Sequence, residues 1–574
     1  MIWWLQDPKR LLSEVASVNA LSQEVDWLRD VTRRVEDMVF SIDFDIVDGA
    51  STWHLTLTYP PFFPNIPPQV FNADGVRISG HQYGTAGELC LEFRPDNWDP
   101  SITGAQMIES AHRLLVGESV VHGGEGVASA HSLTTGQRLR QTMWRLLLPR
   151  EALDPLMGLE AWQQTPISVS EYFYAGAGLA HLTGVGPVED RTWAQLVQVP
   201  GSAAYQGIAI KLPRDIPLSG PVDTNLLALI LISAGISSPS PTSDPTVYLL
   251  VGESMAYLAM TTFSKEGEET HWAYDTIVFE PSSPRLPVEN LLLWDKPIGI
   301  VGCGSLGSKI AAMLVRSGCR RIHLFDADVL EPGNLVRNEL DWRSVGAHKV
   351  RGLKARLLEI APDTDVQETI VHLGGQESSG WTGAAMQKLA GCAVIVDATA
   401  DPLVFGLCAA AARYGRRPMV WAEVFAGGYG GLVARARPDH DPSPDIARQQ
   451  ILGWCEEQNV PPPIGTSTDY ALARDEQPAM VADDADVTTI AGHTARMILD
   501  TLKQGSQFPY PAYFIGLAES WTFTQPFDVR PVSYSGSDGW KKEMSGDSES
   551  LARVAALLFD TDESEAESAP SASE

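Results

Sequence analysis

Apolar and polar positions alternate with period two over Phe40–Ile46 and again over Trp53–Thr58. Both runs predict half-buried strands. The spacing turns helical over Ile102–Leu115. Farther on, Leu226–Ser233, Thr246–Val251 and Tyr274–Phe279 read as strand-like runs, with a Ser/Pro-rich break at Ser237–Pro245. From residue 286 to 530, strand and helix patterns take turns, which predicts a doubly wound α/β sheet. The expected class is a multidomain α/β and α+β chain. Residues 1–145 form an α+β domain, 146–285 a mixed α/β linker domain, 286–530 the doubly wound domain and 531–574 an extension. No internal repeat is visible.

Candidate chemistry begins inside the doubly wound region. Pro297–Val301 is a short apolar strand that turns through Gly302, Gly304 and Gly307 into a helical run. Glycines at this spacing let backbone approach a phosphate and aim helix N–H groups at it. Asp326 ends the next strand, where a carboxylate can bind a ribose hydroxyl. These features alone fit a nicotinamide-dependent oxidoreductase. Asn334, Arg337 and Lys349 change the picture. A dinucleotide places its phosphates on the glycine turn and needs no such cluster. A triphosphate with magnesium needs balancing charge on its outer phosphates.

The stretch from about 286 to 500 resembles the ThiF/MoeB/E1 superfamily of ATP-dependent activating enzymes for ubiquitin-like and sulfur-carrier proteins. The family's Asp-x-Asp…Asn-Leu-x-Arg…Lys series falls on Asp326, Asp328, Asn334, Arg337 and Lys349. The resemblance implies ATP and Mg2+ as cofactors. Val396-Asp397-Ala398-Thr399-Ala400-Asp401 resembles the family's Asp-x-Thr-Asp, which helps hold magnesium. One extra residue precedes the second acid, so the metal role stays open between Asp397 and Asp401.

A second motif series lies near the N-terminus. Tyr59-Pro60-Pro61-Phe62-Phe63-Pro64-Asn65-Ile66-Pro67-Pro68 is too rich in proline for a sheet and predicts a rigid extended loop. His81, then Gly87-Glu88-Leu89-Cys90-Leu91, then Trp98-Asp99-Pro100 follow. This order resembles the ubiquitin-conjugating (E2) fold and implies Cys90 as a thioester cysteine. The usual His-Pro-Asn is His81-Gln82-Tyr83 here, so the Asn that steadies the oxyanion is missing. The alternative for Cys90 is a buried apolar thiol, since free cysteine is among the most buried residues.

An activating enzyme of E1 type needs its own thiol. Cys303 lies in the glycine turn, and Cys319, Cys392 and Cys408 fall in core patterns. Cys455 lies in a long segment between the strand Tyr429–Ala436 and a helix beginning near Asp486. The resemblance places the catalytic cysteine in that segment. Against it, the adjacent Glu456 and Glu457 would raise a thiol pKa.

Composition narrows the classes. Among 574 residues, 44% are hydrophobic, enough for several cores. The net charge of −30 argues against nucleic acid as a general partner. No apolar run is long enough to span a bilayer. The six cysteines include no Cys-x-x-Cys pair, which argues against a disulfide scaffold and a Cys-type zinc site. A reducing cytoplasm is the expected compartment. Asp560–Glu574 carries six acids and no base, and predicts a disordered tail.

An E2-like module ahead of an E1-like module resembles the E2–E1 fusion enzymes of bacterial ubiquitin-like conjugation operons, including CBASS anti-phage operons. That resemblance implies activation of the C-terminus of a ubiquitin-like protein or a cGAS-like nucleotidyltransferase (CD-NTase), conjugation to target lysines, and a homodimer. A sulfur-carrier activator and a non-catalytic scaffold remain the alternatives.

Overall fold

The structure is a computed structural model. It describes residues 2–49, 51–75, 78–79, 82–83, 87–118, 143–187, 201–216, 218, 220–236, 247–254, 256–263, 269–279, 286–425, 427–461, 482–505, 507–540 and 548–559. His81, the Ser237–Pro245 break and the Asp560–Glu574 tail lie outside the described residues. The chain divides into two compact units, Met1–Gln141 and Thr142–Glu574. No described helix is long and apolar enough to cross a membrane.

In the first unit, helices α1 (Trp3–Gln6) and α2 (Pro8–Glu24) precede a sheet, and α3 (Gly104–Glu118) follows it. Asp7 caps α2 by accepting the Arg10 N–H at 3.0 Å, with Pro8 at the first helical position. The sheet is antiparallel: β1 (Leu28–Glu36), β2 (Val39–Asp48), β3 (Ser51–Tyr59), β4 (Gln69–Asn72), β5 (Gln82–Tyr83) and β6 (Glu88–Leu89), in spatial order β1-β2-β3-β4-β6-β5. Alternation sets the buried face. Phe40, Ile42, Phe44 and Ile46 of β2 pack with Leu55 and Leu57 of β3 against Val18 of α2 and Ile108 of α3. One buried carboxylate ties the layers. Glu14 accepts the Tyr59 hydroxyl at 2.8 Å and the Gly104 N–H at 2.6 Å, and pairs with Arg10 at 2.8 Å. A Cβ at Gly104 would lie 2.1 Å from the Tyr59 oxygen, so only glycine fits there.

The second unit begins with β7 (Trp144–Pro149), which straddles the boundary expected at 145/146. With β8 (Gln164–Tyr174), β9 (Ala177–Val185), β10 (Ala203–Lys211), β11 (Gly220–Val222), β12 (Val247–Val251), β13 (Ala256–Phe263) and β14 (Glu269–Phe279) it makes one sheet. The order β7-β9-β8-β10-β12-β13-β14 closes on itself, because β14 pairs in parallel with β7. Among the described residues, seven strands thus form a barrel, with β11 added on β14. Val247, Leu249 and Val251 of β12 belong to one core. Tyr248 and Leu250 belong to another, with Leu227, Ile230 and Leu231 of α5 (Thr224–Ser233). A shorter helix, α4 (Arg150–Met157), packs on the former core through Ala152 and Leu156.

The linker is therefore mostly β, and Leu226–Ser233 is a helix rather than a strand. Asp223 caps it by accepting the Asn225 N–H at 2.9 Å. A short apolar run without polar interruption carries no period to separate the two states.

The rest of the second unit is a doubly wound sheet. Its strands are β15 (Pro297–Val301), β16 (Arg321–Phe325), β17 (Asp365–Thr369), β18 (Val394–Asp397), β19 (Met419–Val424), β20 (Gly430–Ala436), β21 (Ala512–Gly516) and β22 (Val529–Val532), in order β17-β16-β15-β18-β19-β20-β21-β22. The first five are parallel and the last three antiparallel. Helices α6 (Ser305–Arg316), α7 (Lys349–Ile360) and α11 (Asp484–Leu502) share one core. Helices α8 (Ser379–Ala390), α9 (Pro402–Gly415) and α10 (Pro444–Glu457) share the other. A last helix, α12 (Ser548–Phe559), is exposed along its described side chains. Strand order reverses between β15 and β18, and a crevice outside their carboxyl ends is where such sheets bind ligands.

Candidate functional site

The crevice holds a cavity of about 410 Å³. Its floor is the glycine turn. Gly302 has φ +86° and a Cβ there would meet Thr399 at 2.8 Å. A Cβ at Gly304 would meet nothing within 4 Å, which leaves the turn open. A Cβ at Gly307 would lie 1.8 Å from the Gly302 oxygen, so the helix start can pack this tightly only with glycine. These are the three separate glycine tasks of a phosphate-binding turn.

Asp326 follows β16 and accepts two backbone amides at 2.7 Å, from Cys303 and from Asp328. Burial pushes its pKa up, and the two amides oppose that. Asp326 therefore braces the glycine turn as well as facing the cavity. Lys349 opens α7, with its Nζ 2.8 Å from Asp328 and its backbone N–H bonded to the Asp328 carbonyl. Asn334 lies in the 3-10 turn Pro332–Val336, where its Oδ1 accepts the Glu331 N–H at 3.0 Å; Arg337 ends that turn. Gly302, Gly304, Asp326, Asp328, Asn334, Arg337, Lys349 and Asp401 all line this one cavity.

The two metal candidates both line a smaller neighbouring cavity, and of the two only Asp401 also lines the main one. Asp401 caps α9, accepting the Leu403 N–H at 2.7 Å and the Val404 N–H at 3.3 Å, and borders the main cavity. Asp397 ends β18 and accepts the Thr399 N–H at 3.0 Å and hydroxyl at 2.6 Å. Burial pushes it up to about 6, and Asp401 adds to the shift. Asp397 lines a second, smaller cavity of about 60 Å³. Among the described residues no three His, Cys, Asp or Glu side chains gather into a metal cage. Magnesium is commonly held by one or two carboxylates together with substrate phosphates, and this acid pair fits that donor set.

Cys455 lies in the last turn of α10, fully buried, and lines the smaller cavity. Burial pushes its thiol up to about 11, with Glu423 and Glu456 adding to the rise. Cys90 lies in the other unit, directly after β6, partly buried between the buried Leu89 and Leu91. Gln82, which stands where the E2 pattern has proline, braces this region. Its Oε1 accepts the Ile78 and Ser79 amides at 2.7 and 3.1 Å, and its Nε2 donates to the Gly87 carbonyl at 2.7 Å.

Glu423 and Asn338 are among the cavity residues that escaped the sequence reading. Glu423 is the penultimate residue of β19 and borders both cavities; burial pushes it up to about 7, while Arg448 pulls the other way. A lone acid on an apolar strand gives no motif. Asn338 lines the main cavity one residue after Arg337, and its adjacency to the Asn-Leu-x-Arg series was the available signal.

Residues 292–461 match the ThiF family, and this part of the chain is a ThiF/E1-like adenylation domain. Over 222 residues the chain is 29% identical to the uncharacterized protein y4qC of Sinorhizobium fredii, covering 37% of this chain and 38% of that protein. Over 106 residues it is 36% identical to the ATP-dependent ubiquitin transferase-like protein Cap2 of Enterobacter hormaechei, covering 18% and 17%. Over 73 residues it is 34% identical to ubiquitin-like modifier-activating enzyme 5 of Caenorhabditis briggsae, covering 13% and 17%. The chain thus spans 38% or less of the length of these relatives. A crystal structure of E. coli MccB with AMPCPP and MccA aligns with 43% of this chain and 66% of its own, at 17% identity and a TM-score of 0.33.

Proposed function

We propose that this protein uses ATP to activate the C-terminal carboxylate of a ubiquitin-like protein or a cGAS-like nucleotidyltransferase, and conjugates it to target lysines. The observation that carries the reading is the single cavity lined by the glycine turn, Asp326, Asn334, Arg337, Lys349 and Asp401. A ribose acid, an open turn and two cations at one crevice suit a nucleoside triphosphate.

In this reading the carboxylate oxygen attacks the α-phosphorus, the α–β phosphoanhydride bond breaks, and pyrophosphate leaves. The Gly304–Ser305 turn and the N-terminus of α6 face the phosphates, Arg337 and Lys349 balance their charge, and Asp326 holds the ribose. Lys349 exchanges its Asp328 partner for phosphate oxygen. Asp401, with Asp397 behind it, would hold Mg2+, which when bound neutralises phosphate charge. Cys455 then takes the acyl group and releases AMP, and Cys90 receives it before an amine of the target displaces the thiol. The Cap2 relative, an ATP-dependent ubiquitin transferase-like protein, supports a conjugation activity, and the E2-like order around Cys90 supports the transfer step; anti-phage defence is the proposed setting. A cytoplasmic homodimer completes the proposal. One observation favours a shorter route, straight from adenylate to Cys90: the Cys455 thiol is fully buried and its pKa is raised.

Pyrophosphate exchange with a candidate partner tests the adenylation step. Arg337→Ala and Lys349→Ala should each lower exchange by about 10²–10³ while leaving the chain folded, since each removes a charge aimed at developing charge. Wild-type exchange in both variants would overturn the assignment. Nicotinamide turnover by the wild type would revive the oxidoreductase alternative.

A further inference from the structure

Cys303 sits in the middle of the glycine turn, and both of its backbone groups are held by side chains from the segment after β16. Asp326 accepts its N–H at 2.7 Å. Asn338 donates its Nδ2 to the Cys303 carbonyl at 3.3 Å. The Asn338 side chain is committed at its other end too, where Oδ1 accepts the Leu340 N–H at 3.0 Å. Its backbone N–H bonds to the Asn334 carbonyl at 3.1 Å. The residue is 8% exposed and still borders the cavity. Next to it, the Glu339 N–H reaches the Ser308 hydroxyl at 3.2 Å, so the same loop is tied to α6 as well as to the turn.

This bracing has a directional consequence. The peptide between Cys303 and Gly304 is planar, so its carbonyl and its N–H point opposite ways. With the carbonyl held by Asn338, the Gly304 N–H is turned to the other side of the turn. Gly304 is also the turn position with open space around it. Asn338 directly follows Arg337, the cation of the same cavity. One amide side chain therefore links the turn's backbone donors to the loop that carries Arg337.

We infer that Asn338 is a positioning residue for the triphosphate, coupling the glycine turn to Arg337. The inference rests on the ATP reading of this cavity. Asn338 touches the phosphates through neither group. It fixes the mutual placement of the amides and the guanidinium, so its loss falls on phosphate binding and spares the nucleoside.

The test compares two probes on the full chain, adenylyl imidodiphosphate with magnesium and adenosine alone, by calorimetry. Asn338→Ala removes both side-chain bonds. Asn338→Asp keeps the shape and the acceptor for Leu340 but loses the donor to Cys303. Both variants should bind the triphosphate analogue about tenfold more weakly, the scale of one lost hydrogen bond, with adenosine affinity unchanged. In the Asn338→Ala background, Arg337→Ala should cost less than it does alone, because coupled groups are not additive. Triphosphate affinity equal to wild type in both variants overturns the inference. An equal proportional loss for adenosine also overturns it, by making Asn338 a general support of the fold. A wild type that binds neither probe overturns the ATP reading itself.

Discussion

Cys455 and Cys90 belong to different units and meet different surroundings. Cys455 lies in the last turn of α10, where burial, with Glu423 and Glu456 adding to it, disfavours a thiolate and lifts the thiol to about 11. At neutral pH roughly one molecule in 10⁴ then carries the thiolate. That fraction rises tenfold per pH unit below the pKa, so acyl transfer through Cys455 should quicken steadily from pH 7 to 9. With ATP and partner, Cys455→Ala should block charging of both thiols. Cys90→Ala should leave a reducible thioester on Cys455 and no final conjugate. A non-reducing gel run beside a reduced one reads both. Charging of Cys90 in Cys455→Ala would make the buried thiol structural. At this scale the glycine turn and the Asp326–Lys349 series were legible because their spacing is local. Glu423 was not, because a single acid acquires meaning only when β19 carries it to the junction of two cavities.

At the scale of elements, one ion pair joins the antiparallel edge of the large sheet to its helix layer. Arg435 of β20 is fully buried and meets Asp500 of α11 at 2.8 Å, with further bonds to Thr501 at 3.3 Å and the Phe508 carbonyl at 3.0 Å. Removing one partner strands a buried charge. Asp500→Ala should therefore destabilise this unit by about 3–5 kcal/mol in urea unfolding. Arg435→Met combined with Asp500→Ala should recover much of the loss, since an apolar pair of similar volume is often neutral or better. A single variant as stable as wild type would mean that water reaches the pair. Most elements followed their pattern: β2, β3, β12, β14, β20 and α3 lie where alternation or helical spacing placed them. The exception is α5, an apolar run whose state is decided by the Asp223 cap and by packing on the barrel.

At the scale of the whole molecule, every residue bordering the main cavity belongs to the second unit, Thr142–Glu574. A chain of residues 142–574 should keep pyrophosphate exchange within a few-fold of the full chain and make no conjugate. Loss of exchange in a folded fragment would show that the first unit contributes to adenylation. Conjugate formed without it would remove Cys90 from the proposed route. If both units act in sequence, their covalent tether makes the transfer intramolecular, with an effective concentration that can reach about millimolar.

The sequence by itself determined what depends on neighbours along the chain: the strand–glycine–helix turn, the acid Asp326 after the next strand, the spacing of the cations behind it, and the alternation of β2 and β3 in the first unit's sheet. Local backbone geometry and side-chain periodicity encode these directly. Tertiary structure decided what depends on distant partners. The linker barrel closes only because β14 pairs with β7, well over a hundred residues earlier in the chain. Asp326 doubles as a brace only because the glycine turn folds back onto it. Cys455 is sealed beneath the sheet only because α10 packs into the core of its second face. Spacing along a chain carries the chemistry of a motif, but burial and pairing between far segments set what each side chain is free to do.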